Sequence, residues 1–263
     1  MADILEEIVA HKRAELTTQK ALLPQEQLEA AVEASGPTPV RSMRASLAGS
    51  DSGIIAEFKR KSPSKGWIFP EAVPTEVVPA YSQAGAAALS ILTDETYFGG
   101  SMEYVQQVRP LVDTPILRKD FMVDTYQLLQ ARLIGADAVL LIASCLTRAD
   151  CRMLAHRAHE LGLETLLEVH TEAELEYVGD DIDMVGVNNR HLGTFHTDVA
   201  TSYALAERLP HDYLLVSESG ISRAETIREL RQAGYRGFLI GEALMRTSQP
   251  ARTLQQLIND VTV

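Results

Sequence analysis

IIAEFKRKSPSKG, residues 54–66, begins as a strand and ends as a basic turn. Ile54, Ile55, Ala56 and Phe58 make the short apolar run of a strand, interrupted at alternate positions by Glu57 and Lys59. Strand side chains alternate between faces, so Ile55, Glu57 and Lys59 share one face while Ile54, Ala56 and Phe58 share the other. An acid and a base on the inward face of a buried strand are costly unless they are paired or used. The Arg60-Lys61-Ser62-Pro63-Ser64-Lys65-Gly66 loop that follows is turn-forming, and its charge suits an anion. A structural ion pair followed by a solvated loop is the plainer reading, and this stretch alone does not separate the two.

Outward from it, the same layout recurs. Short apolar, β-rich runs lie at 54–58, 88–92, 115–117, 138–142, 165–169, 184–187, 213–216 and 237–240. Helical patterns at 77–84, 101–108, 126–133, 148–161, 172–178, 201–208 and 224–233 separate them, and one at 254–261 follows the last. Gly85, Gly135, Gly162 and Gly234 stand where a helix ends in a left-handed residue ahead of the next strand. Eight strand–helix units in about two hundred residues predict an α/β protein with a closed parallel (β/α)8 TIM barrel. A doubly wound sheet would want a Gly-rich dinucleotide fingerprint after its first strand, and residues 59–66 do not supply one.

Ahead of the first strand, residues 3–16 predict an amphipathic helix with Asp3 as N-cap, Ile4, Leu5, Ile8 and Val9 on its apolar side, and charges on the other. A second helix is expected around 25–32, ended by Ser35-Gly36-Pro37 and Pro39. This segment has no strand and too little apolar mass to fold alone. The reading is therefore one barrel domain over residues 1–263, with 1–50 as a helical extension packed on it.

The composition, 46% hydrophobic and 23% charged, is ordinary for a globular protein. A net charge of −12 argues against nucleic acid, though a locally basic cleft still suits a small anion. No apolar run approaches the roughly 18–20 residues of a membrane span, and MADILEEIVAHKR lacks the layout of a secretory signal. A cytoplasmic protein is expected. Cys145 and Cys151 are too few for a disulfide framework and lack partners for a zinc site, so they are read as structural thiols.

Barrel enzymes carry their chemistry at the C-terminal ends of the strands. Here the trailing edges read Glu57 and Lys59, Thr93-Asp94-Glu95, Arg118-Lys119-Asp120, Glu168, Asn188-Asn189-Arg190, Ser217-Glu218-Ser219-Gly220, and Gly241-Glu242. Parity then selects within each cluster: Lys119 shares a face with Leu117, Glu168 with Leu166, Asn188 and Arg190 with Gly186, and Glu218 with Val216. If the apolar members face inward, two lysines, three glutamates, one asparagine and one arginine meet at the mouth. Burial would disfavour a lysine's charge and a nearby glutamate would favour it, so the direction is open at this stage. Ser219-Gly220-Ile221-Ser222 and Gly241-Glu242-Ala243, the loops after strands seven and eight, have the position of a barrel phosphate site. Asp94 and Glu95 are read as capping the helix after them. His156, His159, His191 and His196 are read as surface side chains.

AEFKRKSPSKG, SILTDETYFGGS, ILRKDFMVD, LLEVH, GVNNRHL, SESGI and LIGEALM, in this order, resemble the motifs of the indole-3-glycerol-phosphate synthase family, and ILEEIVAHKR is similar to its opening helix. The resemblance spans nearly the whole chain. It implies a carboxy-lyase of tryptophan biosynthesis that needs no metal or cofactor. Its substrate is 1-(2-carboxyphenylamino)-1-deoxyribulose 5-phosphate, whose pyrrole ring closes with loss of carbon dioxide and water. By the same resemblance Lys119 is the general acid at the ketone oxygen, and Lys59 is the second catalytic lysine. Glu57 and Glu168 are the paired carboxylates, one removing a proton and one orienting its lysine, and Asn188 lies near the reacting centre. Ser219, with Gly220 and Gly241, holds the phosphate, and Ser62 lies near the carboxylate end. Arg190 and Glu218 join the substrate contacts, and Phe121 and Leu192 wall the aromatic ring. Glu242 stands where family members often have serine, which puts in doubt only a side-chain contact to phosphate there. The partner implied is a small phosphorylated substrate, with no nucleic acid or membrane, and the protein is expected as a monomer or weak homodimer. Another phosphosugar barrel enzyme, such as phosphoribosylanthranilate isomerase, is the alternative, but its usual cysteine and aspartate motifs find no match.

Overall fold

The computed structural model describes residues 4–36, 41–191, 193–209 and 212–263; Asp3, Pro37, Pro39 and Leu192 lie outside them. Three helices, α1 (Ile4–Leu22), α2 (Gln25–Ser35) and α3 (Met43–Ala48), precede the first strand, β1 (Ile54–Phe58). A small antiparallel hairpin, β2 (Lys61–Ser62) and β3 (Gly66–Trp67), occupies the loop after it. Then come β4 (Ala88–Leu92), β5 (Ile116–Lys119), β6 (Ala138–Ile142), β7 (Glu164–Val169), β8 (Met184–Asn188), β9 (Leu214–Glu218) and β10 (Gly237–Ile240). Every barrel pairing is parallel, and β1 closes the ring by pairing with both β4 and β10. The predicted (β/α)8 barrel with its helical N-terminal extension is the observed architecture.

Between the strands run α4 (Pro74–Gln83), α5 (Glu95–Phe98), α6 (Met102–Val108), α7 (Thr125–Ile134), α8 (Arg148–Glu160), α9 (Ala200–Ala206) and α10 (Ala224–Gln232). After β10 come α11 (Glu242–Met245) and α12 (Pro250–Thr262). Gly85, Gly135, Gly162 and Gly234 all adopt positive φ, as their positions after helices require. Residues 172–178 depart from the predicted helix: a 3-10 turn spans Glu172–Tyr177, with Thr171 and Glu174 forming a capping box at its start.

Parity separates two apolar clusters. Ile54, Ala56, Phe58, Leu167 and Leu215 face the helices, whereas Ile55, Leu117, Leu166 and Val216 pack inside the barrel. Met43 and Leu47 of α3 join the interior cluster from the end opposite the mouth. Ser42 caps that helix, and Glu164 at the start of β7 accepts from the Ser42 hydroxyl and the Arg44 N–H. Leu5 and Ile8 of α1 join the same cluster and also line the mouth. The first helical segment thus plugs one end of the barrel and roofs part of the other.

The charges of α1 do not all face away from its apolar side. Lys12 falls on the buried stripe of Leu5, Ile8 and Leu16. It meets Asp94 at 3.0 Å and Asp120 at 3.2 Å, in the loops after β4 and β5.

Candidate active site

A cavity of about 610 Å³ opens at the C-terminal ends of the strands. Glu57, Lys59, Lys119, Glu168, Asn188, Arg190, Ser219, Gly220 and Gly241 line it, and Ser62 and Phe121 close its sides. The strands extend beyond their apolar runs: Lys119 pairs with Leu92 and Asn188 with Glu218 in the ladder. Regular backbone therefore fixes these side chains, which favours precise mutual placement.

Lys119 Nζ lies 3.3 Å from Glu168 Oε2 and 3.1 Å from Glu218 Oε2. Burial opposes its charge, but Glu218, Glu168 and Glu57 outweigh burial and hold the ammonium above the ordinary lysine range. The direction left open by sequence follows from these contacts: the carboxylates favour the ammonium over the neutral amine. Lys59 Nζ donates to Glu57 Oε1 at 2.6 Å, and Ser90 supports the other oxygen at 3.4 Å. Burial raises the Glu57 carboxyl, but Lys59 and Lys119 prevail and hold it below its usual range. Burial likewise opposes the Glu168 charge, and Lys119 and His170 overcome it. Asn188 donates to Glu168 at 3.1 Å, which fixes the remaining oxygen.

Glu218 is placed differently from a substrate contact. It is 1% exposed, stands under Lys119, and is absent from the cavity lining. Burial first, and the neighbouring Glu168 charge next, push its carboxyl up to about 7 against the pull of Lys119. Two glycines make room for these acids. A Cβ at Gly186 would meet Glu218 Oε1 at 2.3 Å, and one at Gly241 would meet Glu57 Oε1 at 2.4 Å.

Across the cavity, Ser219 and Gly220 both take left-handed backbone, at φ 66 and 76. For a serine this is strained, and Asn189 secures it by donating to the Ser219 carbonyl at 3.1 Å. Asn189 points away from Asn188, toward Ser217 and Ser202, as parity requires. Arg190 Nη2 meets Glu242 Oε2 at 3.2 Å, and Arg246 Nη1 meets Glu242 Oε1 at 3.3 Å. The residue that looked odd beside a phosphate is thus flanked by two guanidinium groups. Arg190 Nη1 also reaches Ser64 in the hairpin loop at 3.4 Å.

Phe121 stacks obliquely with Phe98, ring centres 6.0 Å apart, to give an apolar wall. The Ser62 hydroxyl is buried without a hydrogen-bond partner among the described residues. Asp94 caps α5 through the Tyr97 N–H at 2.8 Å. His156 and His159 on α8 face Asp181 and Asp183, while His191 and His196 are exposed. Lys12, Phe98 and His170 drew no separate notice in the sequence. Only Lys12 carried a signal, its place on the apolar stripe of α1.

A family model described as Indole-3-glycerol phosphate synthase matches residues 5–257. A curated protein named indole-3-glycerol phosphate synthase from Bacteroides thetaiotaomicron is 58% identical over 262 residues, covering 99% of this chain and all of that protein. One of the same name from Acidithiobacillus ferrooxidans is 43% identical over 263 residues, covering 99% of this chain and all of that protein. Among solved structures, a chain of the tryptophan synthase α2β2 complex from Pyrococcus furiosus superposes with a TM-score of 0.58 at 15% identity, covering 80% of this chain and 98% of that one. At that identity the likeness speaks for the fold alone.

Proposed function

The chain belongs to the indole-3-glycerol phosphate synthase family, a carboxy-lyase family of tryptophan biosynthesis, and we propose the following division of labour among its residues. The reaction joins the ring carbon that bears the carboxylate to the ketone carbon of the ribulose chain. Carbon dioxide then leaves, the former ketone oxygen departs as water, and a C–H beside the nitrogen gives up its proton. Two protons go to the oxygen and one comes back from carbon, so each turnover takes up one proton net, balancing the carboxylate lost.

Lys119 supplies the protons to the oxygen. The support is its geometry: an ammonium at the cavity floor, held charged by Glu168 at 3.3 Å and Glu218 at 3.1 Å. Glu168 takes the proton from carbon, since it lines the cavity and lies next to the acid it must reload. Glu57 is committed to Lys59 at 2.6 Å and orients it toward the substrate carboxylate. Asn188 keeps Glu168 turned toward the reacting centre. The backbone around Ser219, Gly220 and Gly241 takes the phosphate, with Arg190 beside it. Ser62 faces the carboxylate end, and Phe121 carries the aromatic ring.

We also place the enzyme in the cytoplasm, as a monomer or weak homodimer acting on a small phosphorylated substrate without nucleic acid or membrane. The charge of −12 and a cysteine count of only two support that reading. No helix among the described residues is long and apolar enough to cross a membrane. Purified protein given the carboxyphenylamino-ribulose phosphate should develop indole emission, and absence of product would refute the assignment.

A further inference from the structure

His170 closes β7 on its C-terminal side, and none of the roles above uses it. Its side chain is 10% exposed. Nε2 stands 3.3 Å from Glu168 Oε1, buried and making no hydrogen bond among the described residues. On the other side, Nδ1 lies 3.2 Å from the Ser144 hydroxyl and 3.6 Å from Glu174 Oε2. Glu174 is itself fixed: it accepts from Ser144 at 2.8 Å and from the backbone N–H groups of His170 and Thr171 at 2.5 and 3.2 Å. The imidazole is thus clamped between one carboxylate in the 3-10 turn and another on the cavity floor.

We propose that His170 is a positioning residue for the reaction, a second cation beside the Glu168 oxygen that Lys119 does not contact, which keeps that carboxylate ionised and oriented when Lys119 gives up its proton. The proposal rests on the reading of Glu168 as the base. Its logic is one of charge. Once Lys119 has protonated the substrate oxygen, Glu168 loses one of its two positive partners while still buried beside Glu218. A buried carboxylate left so would take up a proton from any source and cease to be a base. An imidazolium 3.3 Å away leaves it paired through that interval.

The charged groups that face His170 agree in sign. Glu174 from the 3-10 turn, Glu168 from its own strand and Glu218 from β9 together outweigh burial and hold the imidazole above its ordinary 6.5. Glu174 in turn is held down at about 2, where burial is outweighed chiefly by its bonds to His170 and Ser144. These carboxylates therefore favour the imidazolium form over the neutral ring.

The test is the pH profile of kcat for His170→Asn, with Glu168→Gln and Glu174→Gln alongside. In His170→Asn the acid limb, which reports protonation of Glu168, should move up by about one unit. On the acid limb kcat should fall by up to about tenfold and recover toward neutral pH, with KM within about twofold throughout. Glu174→Gln should move the same limb in the same direction, and should add nothing to it in the His170→Asn background. A wild-type profile in His170→Asn, with Glu168→Gln inactive, overturns the role of His170 alone. Wild-type turnover in Glu168→Gln overturns the reading of the site beneath it. Should His170→Asn not fold, the imidazole titration of the wild type by NMR decides. A midpoint above 6.5 that drops in Glu168→Gln is expected, and an identical midpoint in both overturns the proposal.

Discussion

Lys119, within hydrogen-bonding reach of Glu168 and Glu218, and Glu57, paired with Lys59, set the chemistry, and their charges depend on one another. Lys119 stays an ammonium because three glutamates surround it. Glu57 and Glu168 stay carboxylates because the lysines, and for Glu168 also His170, answer them. Glu218 absorbs the excess negative charge and titrates near 7. That raised carboxyl has a consequence for stability. The native state binds a proton there that the unfolded chain releases from about pH 4.5 upward, so stability from this group is present below that pH and is lost as pH rises through 7. Glu57 and Glu168, held low, act in the opposite sense and below pH 4.5. Glu218→Gln should therefore unfold at higher urea concentration than wild type at pH 8, by on the order of 2–3 kcal/mol, with the difference shrinking toward pH 5. A pH-independent difference would show that Glu218 is ionised throughout. Strand parity was enough to place Glu57, Lys119, Glu168, Asn188 and Glu218 on the inner face. It could not rank them by depth, which is why Glu218 reads as a substrate contact in the sequence and stands under Lys119 in the fold. Nor could Gly186 and Gly241 be read as clearance for carboxylates, because what a missing Cβ makes room for depends on the strand next door.

Among the elements, the helix α1 was legible but what its Lys12 packs against was not, and the β2–β3 hairpin was not read at all. Lys12 on the apolar stripe of α1 looks like an exception to the pattern. In the fold it is 2% exposed and pairs with two aspartates that lie in consecutive barrel loops, one of them adjoining Lys119. Burial works against its charge, but Asp120 and Asp94 hold it above the lysine range. Lys12→Met should cost about 3–5 kcal/mol at pH 7, because it leaves the buried Asp94 carboxylate without its cation, whereas Asp120 keeps Arg118. Urea unfolding measures this, and unchanged stability would mean that α1 is held by its apolar contacts alone. The hairpin's pairing sits inside a run of turn residues and basic side chains, so no alternation announced it. Arg60 and Lys61 lie over the ring of Trp67, at 5.4 and 5.8 Å, and that ring packs where a Cβ on Gly99 would collide at 2.9 Å. Since Ser62 and Ser64 of the same loop line the cavity, Trp67 emission should change when product saturates the site. An unchanged spectrum would place the hairpin in one position whether or not the site is filled.

At the scale of the whole molecule, the alternation of eight apolar runs with helical segments predicted the barrel, and every predicted run became a strand. Where boundaries differ, as at β5, β8 and β9, the strands run on into polar residues because ladder pairing outlasts apolarity at the rim. What the linear pattern does not carry is the far end: α3 plugs the barrel with Met43 and Leu47, and six residues between a capping serine and a glycine gave too short a period to stand out. The closed ring makes the site possible, since it brings Glu57 from its first strand against Gly241 just past its last. That convergence ends in one claim, that the Lys119 ammonium drives ring closure. Turnover of the carboxyphenylamino-ribulose phosphate by wild type and Lys119→Met, followed by indole emission with folding confirmed by circular dichroism, tests it most directly. A loss of roughly 10²–10⁴-fold in kcat is expected, and a folded variant that turns over at the wild-type rate would contradict that role of Lys119.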